Sequence, residues 1–573
     1  MDVSSRVIGE VVHPTAAFTR RSPPSRLSGV TANAQLDVDD WEGSLLNPKN
    51  RIDSLDIPSD PLWRVDGCGG LGTQYFVLPL FVPNIPPIRM DVFVEDTESP
   101  FLSRQLELVT SFHTKDAERL SKLAIARHII RTLNLWTKVN FPDLKSFGNF
   151  YKSVPFGSRL VLENLSLDIR KIQVKVGLNH NLEHKLMSLS ALRRLWGADF
   201  AFPRVVDLLD VEVERILHES VCLVRIRGQL FIFKALISGV KYLYHELKTL
   251  CTLQPHPHII ARPIHIISKM CQFGAKRAVV GFTTFYHSRG SLRDILPQLR
   301  IHGRLRLSDQ MKWSVQLATA LKHLRTSKIY YPDLRLDNIV LSDKSDIVMV
   351  DFEQRGVWCE FAAPEVNAIE YIRLIATDES VPDDVREKYS ARLRKLVPGC
   401  DTLDQDTYTN PEQGYAISWI ALSAGEQEAA EVYMLGRLLW CIFEGVSGPQ
   451  KAAVWQSYRW EPHLEFPEYE RTPLTIRALI DRCTRGRRDT LGSKVKRQRS
   501  KLVLCDPEFR EENEENVKEA ARQFWLAEME ASEKFLDLRD AQRRKGEWNE
   551  NFFDRPSLDE VLAALRAYQT EHA

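Results

Sequence analysis

The sequence predicts an α+β protein with a β-rich lobe followed by a helical lobe, preceded by an α/β accessory region. Three observations carry that expectation. Residues 221–235 hold two apolar-rich runs joined at Gly228, which reads as a strand, a turn and a strand. A helix follows, because Leu243, Leu247, Leu250 and Leu253 recur on one face. Beyond residue 300 helical periodicity dominates, first over Asp309–Leu324 and later over a long stretch from Glu511 to Arg544.

Length and composition bound the function. A chain of 573 residues has room for two or three folded units. With 44% hydrophobic and 27% charged residues it falls in the globular class, away from disordered and membrane compositions. Lys and Arg number 77 against 76 Asp and Glu, and a net charge of +1 creates no field that would gather nucleic acid or an anionic membrane. No membrane partner and no specific nucleic acid are therefore expected. The nine cysteines are scattered without a C-x-x-C pair, which argues against structural zinc and a disulfide framework. The start has no apolar signal core, and no run approaches the roughly 20 apolar residues that span a bilayer. The expected location is intracellular, cytoplasmic or nuclear.

Taken in order, residues 1–60 are rich in Ser, Pro, Asn, Asp and Arg and predict a flexible lead-in. Residues 61–204 form the accessory region, with a strand over Tyr75–Val82 and a helix over Asp116–Val139. Within it, Gly67-Cys68-Gly69-Gly70-Leu71-Gly72 matches the G-x-G-x-x-G nucleotide-loop pattern. That motif should open a helix or be followed soon by a strand lysine, whereas Thr73–Val82 reads as a strand and the next lysine is Lys115. A glycine turn between two strands accounts for it. Residues 205–290 are expected to make the β-rich lobe, and 291–573 the helical lobe with insertions near 366–430 and 446–553. The second insertion carries a basic run, Arg485–Arg488 and Lys494–Lys501, which suits a solvated loop first, and otherwise a nuclear-localisation or anionic docking patch.

The chemistry concentrates in a few positions. Lys234 ends the second strand, and Glu246 lies on the following helix, on a face turned toward the sheet. Ala278–Thr284 reads as a strand running into an extended linker at Phe285, Tyr286 and His287. Ser308 caps the helix from Asp309. The chain then emerges at Tyr331-Pro332-Asp333-Leu334-Arg335-Leu336-Asp337-Asn338, and the strand Ile347–Val350 delivers Asp351-Phe352-Glu353. Apolar strands flank each polar group, which separates this stretch from a surface loop merely rich in Asp and Asn.

These residues resemble the protein-kinase catalytic loop H-R-D-L-x-x-x-N and the D-F-G site. Further matches follow in family order: Ala363-Pro364-Glu365 is similar to A-P-E, Glu431–Gly436 to the D-x-W-x-x-G helix, and Arg555-Pro556-Ser557 to the late R-P-S. The resemblance covers about residues 205–573 and implies a two-lobed protein-kinase-like fold that uses ATP and Mg²⁺ on a protein substrate. It implies that Lys234 holds the phosphates and Glu246 holds Lys234, that Thr284 is the gatekeeper, and that Phe285, Tyr286 and His287 meet adenine. It implies Asp333 as catalytic base, Arg335 as a partner of the transferring phosphate, Asn338 and Asp351 as metal ligands, and a buried Glu365–Arg555 pair. Ser or Thr is the expected acceptor, with Tyr left open.

Three departures matter. Leu217-His218-Glu219-Ser220 stands where the glycine-rich phosphate loop should be. Tyr331-Pro332 replaces His-Arg, removing the arginine that meets an activation-loop phosphate and the histidine beneath the D-F-G phenylalanine. Glu353 replaces the glycine. Two other readings therefore stand beside the kinase: a pseudokinase scaffold, and a small-molecule phosphotransferase of the aminoglycoside or choline kinase type, whose loops often carry D-F-E. The combination of divergent phosphate loop and Asp-Phe-Glu also resembles kinase-like proteins of filamentous fungi.

Overall fold

A computed structural model describes residues 7–18, 60–69, 73–95, 99–114, 116–449, 469–498, 501–505 and 513–572. Its first sheet belongs to the accessory region. Strands β1 (Trp63–Gly69), β2 (Gln74–Pro79), β3 (Asp91–Val94), β4 (Arg159–Glu163) and β5 (Gln173–Gly177) form it, in the order β1-β2-β3-β4-β5, and helix α1 (Ala124–Asn140) lies between β3 and β4 in the chain. Only β3 and β4 run parallel. Strands β1 and β2 pair antiparallel, with Gly69 opposite Gln74, which supports the glycine turn; Gly70, Leu71 and Gly72 lie outside the described residues. The helix expected over Asp116–Val139 is broken. A short turn of helix, Ala117–Ser121, ends at Lys122, and α1 restarts after Leu123.

The second sheet contains β6 (Arg204–Asp207), β7 (Glu212–His218), β8 (Val221–Ile226) and β9 (Gln229–Lys234), then helix α2 (Val240–Thr252), β10 (His265–Met270) and β11 (Arg277–Phe285). Its order is β6-β10-β11-β9-β8-β7. Strand β8 alternates as a half-buried strand must, with Cys222, Val224 and Ile226 buried. Strands β9 and β11 approach so closely that a Cβ on Gly281 would lie 2.3 Å from the Lys234 carbonyl, so glycine is needed where the lysine strand is supported. The two sheets are joined. Val213 N donates to Ile85 O at 2.7 Å, Ile216 N to the Asp66 carboxylate at 2.7 Å, and Val279 N to Met187 O at 2.8 Å.

The helical lobe is built from α3 (Leu307–Thr326), the hairpin β12 (Ile339–Leu341) and β13 (Ile347–Met349), and helices α4 (Pro364–Thr377), α5 (Asp383–Leu396) and α6 (Ala424–Glu444). The hairpin β14 (Val495–Gln498) and β15 (Lys501–Leu504), helix α7 (Glu514–Lys545) and helix α8 (Leu558–Glu571) complete it. Helix α3 buries Met311, Leu317, Ala318, Leu321 and Leu324, but Ser308 does not cap it. The helix starts two residues earlier, at Leu307 after Arg306, with no side-chain cap bond. Capping boxes do open α6, from Ser423 and Glu426, and α8, from Ser557 and Glu560.

The two insertions pack on each other. Lys388, Arg392 and Lys395 of α5 meet Glu533, Asp537 and Asp540 of α7 at 2.6, 2.7 and 3.0 Å, a ladder stepping four and three residues along both helices, which therefore lie parallel. Buried Arg539 of α7 is held by Glu426 at 2.6 Å. Part of the expected flexible lead-in also packs here. Val11 is buried and its carbonyl accepts from Trp525 Nε1 at 2.8 Å, while Phe18 meets Tyr389 at 5.7 Å between ring centres. Packing of these apolar side chains, Val11 beside Trp525 of α7 and Phe18 on Tyr389 of α5, is a gain that local composition does not reveal. The basic run is partly engaged too: Arg488 pairs with Glu528 at 2.7 Å, Arg485 pairs with Asp554, and 495–498 is strand. Arg499 and Ser500 lie outside the described residues. Among the described residues no helix is long and apolar enough to cross a membrane.

Candidate active site

Lys234 ends β9, and the sheet directs its side chain into the space between the lobes. Its ammonium lies 2.7 Å from Glu246 of α2, 2.6 Å from Asp351 after β13, and 3.0 Å from Glu353. Burial alone would lower the lysine's pKa, but the three carboxylates, Asp351 first, hold it well above the ordinary value, so it stays charged. Burial pushes Glu246 up to about 7, against the pull of Lys234. Asp351 is held below the ordinary value because Lys234 outweighs its burial. Glu246 does a second job: its other carboxylate oxygen accepts the Phe352 N–H at 2.9 Å, tying α2 to the segment that carries Asp351.

A second cluster stands on the loop after α3. Asn338 Nδ2 donates to the Asp333 backbone oxygen at 3.0 Å and to its carboxylate at 3.1 Å, and Arg335 Nε lies 3.2 Å from the same carboxylate. Burial raises Asp333 to about 6; Arg335 opposes the rise, and Asp351 adds to it. The Arg335 guanidinium also lies 5.0 Å from the Trp358 ring centre, so it is held between aspartate and indole. Asn338 turns its amide nitrogen toward Asp333, which leaves the amide oxygen for another partner.

Thr284 is buried on β11 opposite Ile232, and Phe285 pairs with Phe231, so both lie on the strand beside that of Lys234. Phe285 is 54% exposed, and Tyr286 and His287 are half-buried. The turn at Glu219 and Ser220 is tight, with His218 opposite Val221, and its Glu219 carbonyl accepts from buried Arg89 of the accessory region. Arg89 is in turn fixed by Asp91 at 2.9 Å.

Several working residues were not expected. Tyr331 takes over beneath Phe352, its ring 5.0 Å away and its hydroxyl donating to the Val350 carbonyl. Glu353, read from sequence as a lost glycine and a likeness to D-F-E, is a third partner of Lys234. Gln354, in the left-handed region at φ 49°, accepts from His245 Nε2 of α2 at 2.7 Å, donates to Tyr330 O, and accepts Tyr415 N at 3.0 Å. The first insertion then clamps α2 from outside: Lys241 donates to Leu403 O and Gln405 O at 2.6 and 2.7 Å, and Lys248 to Asn410 at 2.7 Å. The charged side chains spaced along α2 were the visible signal, but their acceptors, two backbone carbonyls for Lys241 and the Asn410 side-chain amide oxygen for Lys248, lie far along the chain.

A lysine fixed by a helix glutamate above, and an aspartate–asparagine loop below, define a protein-kinase-like class of fold. Residues 237–355 match the family described as protein tyrosine and serine/threonine kinase, and this region is of the protein-kinase-like superfamily. The matched span contains Glu246, Asp333, Asn338 and Asp351, while Lys234 lies just before it.

Proposed function

We propose that the protein transfers the γ-phosphoryl group of ATP to Ser or Thr of a protein substrate, with Mg²⁺, inside the cell. The observation that carries this reading is the intact Lys234–Glu246 pair, formed together with the Glu246 bond that draws in the Asp351 segment. In this reading Lys234 orients phosphates, and Asp333, pinned by Asn338, accepts the proton of the incoming hydroxyl. The Asp351 carboxylate and the Asn338 amide oxygen are hard donors of the kind Mg²⁺ takes, and they would hold it, the ion neutralising charge on the phosphates. Thr284 and the strand end at Phe285, Tyr286 and His287 would border adenine. Arg335, already paired with Asp333, would steady that carboxylate as well as face the transferring group.

A scaffold reading has one specific observation in its favour: three carboxylates surround Lys234, so phosphates must displace acids to reach it. Small-molecule phosphotransfer draws on Glu353, but the buried Glu365–Arg555 pair is of the kind that supports a peptide-docking segment. Calorimetric titration of ATP with and without Mg²⁺ separates the readings. Mg²⁺ should tighten binding at least tenfold in the wild type and not in Asp351→Asn; ATP binding indifferent to Mg²⁺, or none, would favour the scaffold.

A further inference from the structure

Beneath the segment that follows Glu353 lies a cavity of about 570 Å³, within the roughly 300–1,000 Å³ of small-molecule sites. Its walls come from Val357–Ala362, α4, α6, α7 and the turn at His13 and Pro14, so it exists only because the second insertion and the N-terminal segment close over the lobe. Aromatic rings dominate its lining, among them those of Trp358, Tyr371, Trp525, Phe535, Phe552 and Phe553. Most charged groups on the wall are satisfied by each other: Arg373 holds Glu370 at 2.6 Å, and Arg488 holds Glu528 at 2.7 Å. They do not call for an ionic ligand. Glu360 differs. Its carboxylate accepts from Trp358 Nε1 at 3.2 Å, no ion pair to it is formed among the described residues, and burial raises it to about 7 against the pull of that bond and of Arg437 and Arg293, so it suits a neutral hydrogen-bond donor better than a counter-ion.

We infer that this cavity binds a small, planar, mainly aromatic molecule carrying an N–H or O–H donor, and that its occupancy is transmitted to the catalytic loop through Trp358. The ring that lines the cavity is the one against which the Arg335 guanidinium rests at 5.0 Å, and Arg335 lies 3.2 Å from the Asp333 carboxylate. Arg335 also acts electrostatically on Asp351. A molecule that repositions the indole therefore changes the field at both aspartates. The binding half stands on the cavity alone; the coupling half rests on the kinase reading.

The test uses the full chain and indole as probe, with indene as the same shape lacking N–H, each followed by saturation-transfer NMR titration. Indole should bind saturably and indene at least fivefold more weakly. Ala531→Trp, which fills the cavity from α7, should weaken indole at least tenfold with circular dichroism and melting unchanged, and Glu360→Leu should bring indole to the level of indene. No saturable indole binding, or equal binding by wild type and both variants, overturns the site. For the coupling, saturating indole should change the Mg·ATP dissociation constant at least threefold in wild type and not in Trp358→Leu. An unchanged constant overturns the coupling and leaves the site standing. A wild type that binds indole but no Mg·ATP removes the kinase reading and the coupling with it.

Discussion

Arg555→Ala removes more than one contact. The guanidinium makes paired bonds to the two Glu365 oxygens at 2.5 and 3.0 Å, donates to Ala429 O at 2.9 Å and Arg485 O at 3.0 Å, and lies 4.8 Å from the ring centres of both Tyr433 and Phe553. Its side chain is fully buried and that of Glu365 is 7% exposed, so water cannot replace what is lost. Removing one partner of such a pair costs roughly 3–5 kcal/mol, mostly because the other charge is left buried and alone. At about 2–4 °C per kcal/mol for a domain of some 150–250 residues, the melting temperature should fall by roughly 6–20 °C. Thermal unfolding followed by circular dichroism reads this directly. Replacing both residues with methionine should recover most of the loss, because the desolvated charge is then gone as well. An Arg555→Ala melt within about 1 °C of wild type would refute the reasoning.

Two further outcomes follow from the site. On the proposed role of Asp333 as base, only its ionised form accepts the proton and its raised pKa should set the acidic limb: kcat/KM should fall about tenfold per pH unit below about 6. Because Arg335 opposes that rise, Arg335→Ala should move the limb to higher pH; a rate flat down to pH 5 contradicts the assignment. Lys241→Ala cuts the bonds that bind the 403–405 backbone to α2 and should weaken Mg·ATP binding several-fold while speeding proteolysis near Gln405. Unchanged affinity would mean that the insertion does not hold α2 in place.

The centre of the site was legible because its chemistry is local in sequence. Asp333 and Asn338 sit five positions apart between the apolar stripe of α3 and strand β12, and Asp351 follows β13, so these polar residues stand out from an apolar context. The Glu365–Arg555 pair could be anticipated from the order of motifs, although only folding brings its members together. What stayed hidden depended on long-range pairing. The ladder from Lys388, Arg392 and Lys395 carries no local signal, because the three acids that match its steps lie about 145 residues on, in α7. Residues 7–18 look too polar in context to fold, yet Val11 finds its burial against Trp525, more than 500 residues on. Glu353 signalled a loss of glycine freedom, while its gain, an ion pair to Lys234, needed the lysine strand beside it. Ser308 has the right chemistry for a cap but lies inside the helix, where propensity at a boundary gives way to packing.

The central claim is that Asp333 is the base of a phosphoryl transfer. The most direct measurement is γ-phosphoryl transfer from labelled ATP to a generic Ser/Thr protein substrate, and to the chain itself, by wild type beside Asp333→Asn. The amide preserves size and the hydrogen-bonded setting with Asn338, so the variant should fold and bind Mg·ATP as wild type does, while transfer falls by about 10² or more. Transfer retained in Asp333→Asn, or absent from wild type, would contradict the account.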